Sequence, residues 1–496
     1  MKTNKLKHLV SGAAGDSVLF MAVRVVTILV TFVVTRMLSD WFSVSEYGTY
    51  SQIMLIVSTV SNVTILGMMD GINFFYGREK DFVKREKYIA TIFAIHAIVS
   101  ALTSTLILLL TVPISQYFKN ADLKGLIVFA ALLPILQNTI SMLQILFISV
   151  GKAKTIAFRN LLVSFAKLLF VLTSCYLFNN IIIVLIAHLF IDTIQTIYFF
   201  IVLKKNDVNI NIFKSDFSLA REIITYCVPM AMYTILNSIN RDCDKYIISA
   251  FTSTEELAIY SNASKLLPFD IVMTSLCTIL LPYITKYISN REYKQTVDLY
   301  KVFLELSYTS TGILAAGALC VAPELMRFLY TEKYLAGINV FCIYLIVDTI
   351  RFLNITLIMS ASGRTKTIMY VSLGTFVTNI VLNILFFRWL GFEGPAIATL
   401  FITFVNGIII LGLSAKALET TIWKMFDWKY FVCFWSEVFA VTLIVSLFKK
   451  ILVMLGFNYI INLIVCYFVF ALIMLVINYK RVSKDIGFIS VQKHPN

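Results

Sequence analysis

Charge is what this sequence of 496 residues has least of. Asp, Glu, Lys and Arg together make up 14% of it, against about 25% in a soluble globular domain. Hydrophobic residues make up 59%, and the mean hydropathy is +0.84, so most of the chain must dissolve in lipid. Cysteine occurs eight times, but singly and never as C-x-x-C. Neither a disulfide framework nor a zinc site is implied. There is no phosphate-binding P-loop and no H-x-x-x-H pair, and no connector between apolar runs exceeds about 20 residues. That leaves no room for a soluble catalytic domain and argues against an ATP-driven pump. Acidic residues are scarcer than basic ones, 28 against 42, for a formal net charge of +14. In a soluble chain that excess would point to nucleic acid. Here the Lys and Arg residues lie in short connectors, where they orient a chain in the membrane. No nucleic-acid partner and no cofactor is implied.

What the sequence does have is apolar runs of membrane-spanning length, about 20 residues each. About fourteen can be placed, near residues 14–38, 48–70, 88–112, 123–149, 155–177, 180–203, 220–248, 257–288, 299–322, 336–361, 366–387, 393–415, 430–448 and 455–478. The basic start "MKTNKLKHLV" resembles a secretory signal, but the apolar run after it is too long for a cleaved one and reads as a retained first helix. Alternate connectors differ sharply in charge. "GREKDFVKREK", "GKAK", "GRTK" and "AKALETTIWKMFDWK" are basic, whereas "SDWFSVSEYG", "FNN" and "FTSTEEL" have no Lys or Arg. The positive-inside rule therefore predicts a multi-pass protein of the cytoplasmic (inner) membrane with both termini cytoplasmic. Lys449 and Lys450 are the exception, falling on the outer side.

Two motifs occur twice at nearly one offset. G-[KR]-x-K-T-I begins at Gly151 and Gly363, 212 positions apart, and "SEYGTYSQ" from Ser45 echoes "EELAIYSNA" from Glu255 at 210. The offset covers six spans, an even number, so both copies have the same orientation in the membrane. The expected fold is an all-α integral membrane protein of about fourteen helices: two six-helix lobes related by a parallel repeat, residues 1–205 and 206–420, followed by two further helices and a cytoplasmic tail over 421–496. The G-[KR]-x-K corner reads as a tight turn with cations facing lipid headgroups.

The stretch "NRDCDKYIISAFTSTEELAIYSNASKL", Asn240 to Leu266, resembles the D-[RK]-x-x-[IL]-x-x-x-x-[ST]-x-x-x-[LV]-[GA]-x-Y-S-x-A-x-K-[LI] signature of polysaccharide transporters and O-antigen (Wzx-like) flippases. "TRMLSDWFSVSEYGTYSQI" is similar to their first-helix ending, with a longer linker, "SDWFSV". The resemblance covers essentially the whole chain. It implies the multidrug/oligosaccharidyl-lipid/polysaccharide exporter (MOP) fold, two bundles facing a central cavity. It also implies a cargo of isoprenoid pyrophosphate-linked sugar moved from the cytoplasmic to the outer leaflet, with a polysaccharide polymerase and a chain-length regulator as candidate partners besides the membrane lipids.

Ionisable residues near mid-span each cost about 2.5–3.5 kcal/mol on insertion scales unless they face protein or water, so function is sought there first. Six stand out: Arg24, Lys167, His188, Asp192, Asp348 and Arg351. Arg24, Lys167 and Arg351 are candidate substrate-binding cations, Arg24 for bidentate contact with a phosphate; the alternative for each is an ion pair with a neighbouring carboxylate. His188 and Asp192, four apart on one helical face, are a candidate ion-coupling pair. Asp348, three residues from Arg351, is a third coupling candidate or that arginine's local partner. His96 reads as a hydrogen-bonded core residue. Asp244 and Lys245 match the signature near an outer helix end and read as structural, within reach of interfacial water. Pro229 is placed to bend the seventh span, Pro268 and Pro282 the eighth.

The leading expectation is a secondary transporter, not an enzyme, that flips lipid-linked oligosaccharide by alternating access with H⁺ or Na⁺ as a candidate coupling ion. The nearest alternative is a multidrug/cation antiporter, whose cavity would favour carboxylates and aromatics. A membrane-embedded polymerase or acyltransferase would need a long external loop, and the longest external connector, "APELMRFLYTEKYL", is short.

Overall fold

A computed structural model describes residues 13–150, 153–205 and 210–492. Backbone groups cannot be left unpaired in hydrocarbon, so an apolar chain of this kind can cross only as helices or as a closed barrel. The described residues are mostly helical, with no strand among them. Eleven stretches are long and apolar enough to cross a membrane. One of them, Thr365–Ala417, is two helices packed on each other; a bent pair, Phe217–Pro229 with Thr234–Phe251, adds another span, and the 29-residue helix Ala13–Trp41 one more. The sequence's count of about fourteen is thereby met.

In chain order the spans are α1 (Ala13–Trp41), α2 (Val44–Thr64, continued after a kink by Met68–Arg78), α3 (Phe82–Leu109), α4 (Leu123–Ser149), α5 (Ala153–Phe178), α6 (Ile181–Lys204) and α7 (Ala220–Phe251). They continue as α8 (Thr254–Ala263, broken, then Ile271–Ser289), α9 (Tyr293–Cys320), α10 (Ile338–Ile350, broken, then Leu357–Ala361), α11 (Thr365–Leu390), α12 (Gly394–Ala417), α13 (Trp428–Met454) and α14 (Tyr459–Gln492). Large apolar side chains such as Leu109, Phe158, Trp389, Phe439 and Val476 are exposed. In water they would be a liability; in hydrocarbon they are the solvated surface.

The repeat is written into the backbone as well as the sequence. Helix α2 starts with a capping box in which Ser43 and Glu46 satisfy each other's backbone N–H groups. At an offset of 210, Ser253 and Glu256 do the same at the start of α8. At an offset of 212, Lys119 and Thr331 both have positive φ, 49° and 78°, and so do Asn179 and Gly391, 44° and 67°. Each pair ends a short helix or span at the same place in its copy. Gly363 of the second G-[KR]-x-K-T-I corner turns at φ 67°; Gly151 and Lys152 of the first lie outside the described residues. Gly48, inside the other motif, is required by close approach: a Cβ there would stand 2.3 Å from the Thr254 carbonyl oxygen.

The chain divides into two compact units. The first runs to Asp242 and includes Ser249–Ala258; the second is Cys243–Ile248 with Ile259 onward. In the first unit α1 packs on α5, α2 on α4, and α4 and α5 on α6. A core of Ile72, Phe75, Tyr88, Ile92, Leu143, Phe147 and Phe199 joins α2, α3, α4 and α6. In the second, α9 is central and α13 and α14 lie along it. Gly312 faces Phe434 and Trp435, and Gly317 faces Tyr467 and Phe470, so small residues let the appended pair seat its rings against α9. Lys449, the exception to the charge rule, has a partner: its ammonium donates to the Cys320 carbonyl at the end of α9 (2.8 Å) and to Glu324 (3.1 Å). It caps a helix terminus, a favourable place for a cation.

Besides the kinked α2, three spans are irregular. α7 bends by 41° beyond Pro229. α8 breaks between Ala263 and the 3₁₀ turn Pro268–Asp270, while Pro282 sits inside its unbroken second half. α10 gives way after Ile350 to a 3₁₀ turn, Arg351–Asn354.

Candidate functional site

Within the first unit, α5 and α6 are joined by a polar ladder. Lys167 Nζ lies 3.1 Å from Asp192 Oδ1. Gln195, three residues along α6 and therefore on the same face, donates to that same oxygen at 3.0 Å. Its own carbonyl oxygen accepts from Arg159 Nη1 at 3.0 Å. Arg159 also donates to Asn160 and lies 4.5 Å over the Phe199 ring. Arg159 to Lys167 is eight residues, about 12 Å of helix rise, so the ladder climbs from near the end of the span into its interior. Asp192 is 2% exposed and Arg159 7%, while the Lys167 side chain is 32% exposed. Asp192 Oδ2 and Arg159 Nε are buried without a hydrogen-bond partner. Of the two readings of Lys167, the ion pair is the one formed.

The His188–Asp192 pairing expected from their spacing gives way to separate partners. Asp192 turns to Lys167, whereas His188 Nε2 is 3.3 Å from the Tyr50 hydroxyl of α2, the rings stacked at 6.3 Å. Sharing a helix face does not make a pair when a cation on the next helix is closer. Arg24 is on α1, and its side chain lies outside the described residues. Its level is fixed by its neighbour: Thr27, one turn on, accepts from Ser164 (3.3 Å), which lies between Arg159 and Lys167 on α5. His96 is 2% exposed, within hydrogen-bond reach of Ser100 and Thr139, as a core histidine would be.

In the second unit the two helix breaks face each other. Arg351 pairs with Asp348 (2.9 Å) and also with Asp270 (2.9 Å), at the break in α8. Asp348 Oδ2 accepts the Leu267 N–H (3.2 Å), one of the backbone donors that the break in α8 sets free. Asp348 is 2% exposed. Two carboxylates thus hold one guanidinium and one orphaned amide. Asp244 is likewise 2% exposed and accepts from the Tyr260 hydroxyl (3.0 Å) and from Tyr344. It is buried and satisfied by tyrosines rather than by interfacial water, so two separated letters of the signature, its Asp and its Tyr, are hydrogen-bonded to each other.

Arg159, Gln195, Asp270 and Tyr50 escaped the sequence reading. Arg159 follows the basic corner too closely to look buried, and Gln195 carries no charge. The spacing Asp192–Gln195 was the signal for one rung of the ladder. Nothing in the sequence signals Asp270, whose partner is 81 residues away. Among the described residues no group of three or more His, Cys, Asp or Glu could hold a metal ion.

Fourteen apolar helices, a parallel repeat and charges paired between neighbouring helices define a multi-pass membrane protein. Solved structures show the same fold. The lipid II flippase MurJ in an inward closed conformation superposes with a TM-score of 0.73 at 16% identity, over 94% of this chain and 99% of its own. An inward-facing multidrug resistance MATE transporter of the MOP superfamily gives 0.60 at 12%, over 79% and 96%. The MATE multidrug transporter DinF-BH gives 0.55 at 12%, over 80% and 94%. No curated protein matches by sequence. The chain belongs to the polysaccharide biosynthesis protein family, whose model matches residues 33–339. The solved structures that share this fold are a flippase and multidrug transporters.

Proposed function

We propose that this protein is a flippase that moves an isoprenoid pyrophosphate-linked oligosaccharide, such as an O-antigen or other surface polysaccharide repeat unit, across the cytoplasmic membrane by alternating access, with both termini cytoplasmic. Membership of a polysaccharide biosynthesis family supports the cargo class. The observation that carries the reading is the charge of the α5–α6 ladder: two intramembrane cations, Arg159 and Lys167, against one carboxylate, Asp192. That excess suits a pyrophosphate, which strong charge-assisted hydrogen bonds would hold. Arg24, on the helix packed against α5, would add a third cation. Glycosyltransferases, a polymerase and a chain-length regulator would work upstream and downstream of such a step.

The test is reconstitution. Proteoliposomes loaded with a fluorescent prenyl-pyrophosphate sugar should expose it to an external quencher faster than empty liposomes. Equal rates would refute the proposal. Running the same assay with proton and sodium gradients collapsed separately assigns the driving ion. His188, Asp192 and Asp348 are the residues proposed to couple it.

A second reading, the cation antiporter, has one observation in its favour. The second unit's trio, Asp270, Asp348 and Arg351, carries one negative charge in excess. Export of a lipophilic cation by the same proteoliposomes, with no effect on prenyl-pyrophosphate sugar, would favour it.

A further inference from the structure

We propose that Asp192 is a tethered counter-anion: it occupies the place on Lys167 that a cargo phosphate takes, and on cargo arrival it transfers to Arg159. The inference rests on the flippase reading and adds how the site is kept neutral while it waits. Helices α5 and α6 carry one carboxylate between them, Asp192. An unpaired ammonium or guanidinium at bilayer depth is costly, so an empty anion site made only of cations would be unstable. A carboxylate on the neighbouring helix removes that cost, provided it can leave.

Three features allow it to leave. The carboxylate is held by one oxygen, since both Lys167 and Gln195 contact Oδ1, while Oδ2 is buried without a hydrogen bond. Arg159 has an unused donor, Nε, likewise buried. It makes no ion pair among the described residues and is already linked to Asp192 through the Gln195 amide. Lys167, the rung that cargo must reach, is the exposed one of the three charged groups. There are thus two arrangements. In one Asp192 neutralises Lys167 and Arg159 is held by amides and the Phe199 ring. In the other the incoming phosphate neutralises Lys167 and Asp192 neutralises Arg159. Neither leaves a carboxylate unpaired, and cargo entry becomes an exchange of anions instead of the filling of a vacant cationic hole.

The experiment measures binding of inorganic pyrophosphate, with sulfate as the control anion, to the full-length protein in nanodiscs. Removing the competitor should tighten it: Asp192→Asn is expected to lower the pyrophosphate Kd about ten-fold. Asp192→Ser serves the same purpose if the amide variant does not reach the membrane. Lys167→Met should abolish binding in either background. Arg159→Gln alone should weaken binding, because the displaced carboxylate has nowhere to go. Arg159→Gln combined with Asp192→Asn should regain the tight binding of the single Asp192 variant. That non-additivity is not expected of two merely structural residues. An unchanged or weaker Kd in both Asp192 variants, additive effects in the double variant, or no pyrophosphate binding by any of them overturns the proposal. The two readings fail separately. Tight binding by Asp192→Asn with no lipid flipping by the wild type leaves the exchange standing and removes the flippase. Flipping by the wild type with an unchanged Asp192→Asn Kd does the reverse.

Discussion

The carboxylates show most plainly how single residues are placed. Asp244 answers two tyrosines across three helices, and it is the one carboxylate that both hydroxyls share. A buried donor left unpaired costs about 1–3 kcal/mol. Asp244→Ala should therefore lower the thermal stability of the detergent-purified protein, with a smaller loss for Tyr344→Phe, and neither should change pyrophosphate affinity. Unfolding curves read by tryptophan fluorescence, alongside the binding assay, check both halves of that statement. At the water-facing side of the first unit, Asp216 accepts from Ser218, which together with Lys87 at 3.4 Å holds its carboxyl below the usual range. A depressed carboxylate stabilises the fold above its unfolded-state pKa, and that contribution fades as the pH falls through the folded value. The connector before α7 should thus become more susceptible to protease in strongly acidic buffer, and Asp216→Asn should remove that pH dependence.

At the scale of elements, the interrupted helices carry the most consequence. A break in a span frees backbone donors and acceptors that lipid cannot satisfy, and here the break in α8 is answered by side chains from α10: Asp348 takes the Leu267 amide and Arg351 takes Asp270. Removing Arg351 alone leaves two buried or half-buried carboxylates facing each other, and breaking a buried pair in that way costs roughly 3–5 kcal/mol. Arg351→Met is expected to reduce the amount of folded protein in membranes strongly. Combining it with Asp270→Asn should recover part of the loss, which quantitative immunoblotting against a fluorescence size-exclusion profile would read. No recovery would mean that the arginine acts through something other than charge. Gly48 sets a limit of a different kind. Its neighbour is backbone, which cannot swing away, so Gly48→Val should abolish folded protein altogether.

For the molecule as a whole, the topology is the prediction that matters. With the termini on the cytoplasmic side, single cysteines introduced at the exposed positions Lys119 and Lys333, in a variant lacking the native ones, should react with an impermeant maleimide added to intact cells. A cysteine at Arg291 should react only after lysis. The opposite pattern would reverse every sidedness argument. Much of this architecture was legible in the sequence because bilayer thickness fixes the length of an apolar run. The repeat was legible because two motifs at nearly one offset mark equivalent turns. Side-chain partners were far less so. Asp348 and Arg351 sit three apart on one helix, and their spacing predicts the pair. His188 and Asp192 sit four apart and yet diverge, because Tyr50 and Lys167 arrive from other helices. Asp270 is no more visible, since its partner is set by where two breaks meet in space and not by any local pattern.

The glycine notches on α9 have a mechanical corollary. Rings from α13 and α14 fill them, and the Lys449 ammonium rivets the far end of α13 to the last turn of α9. The terminal hairpin therefore cannot glide along its support, and whatever displacement α9 undergoes must tow both helices as a single keel.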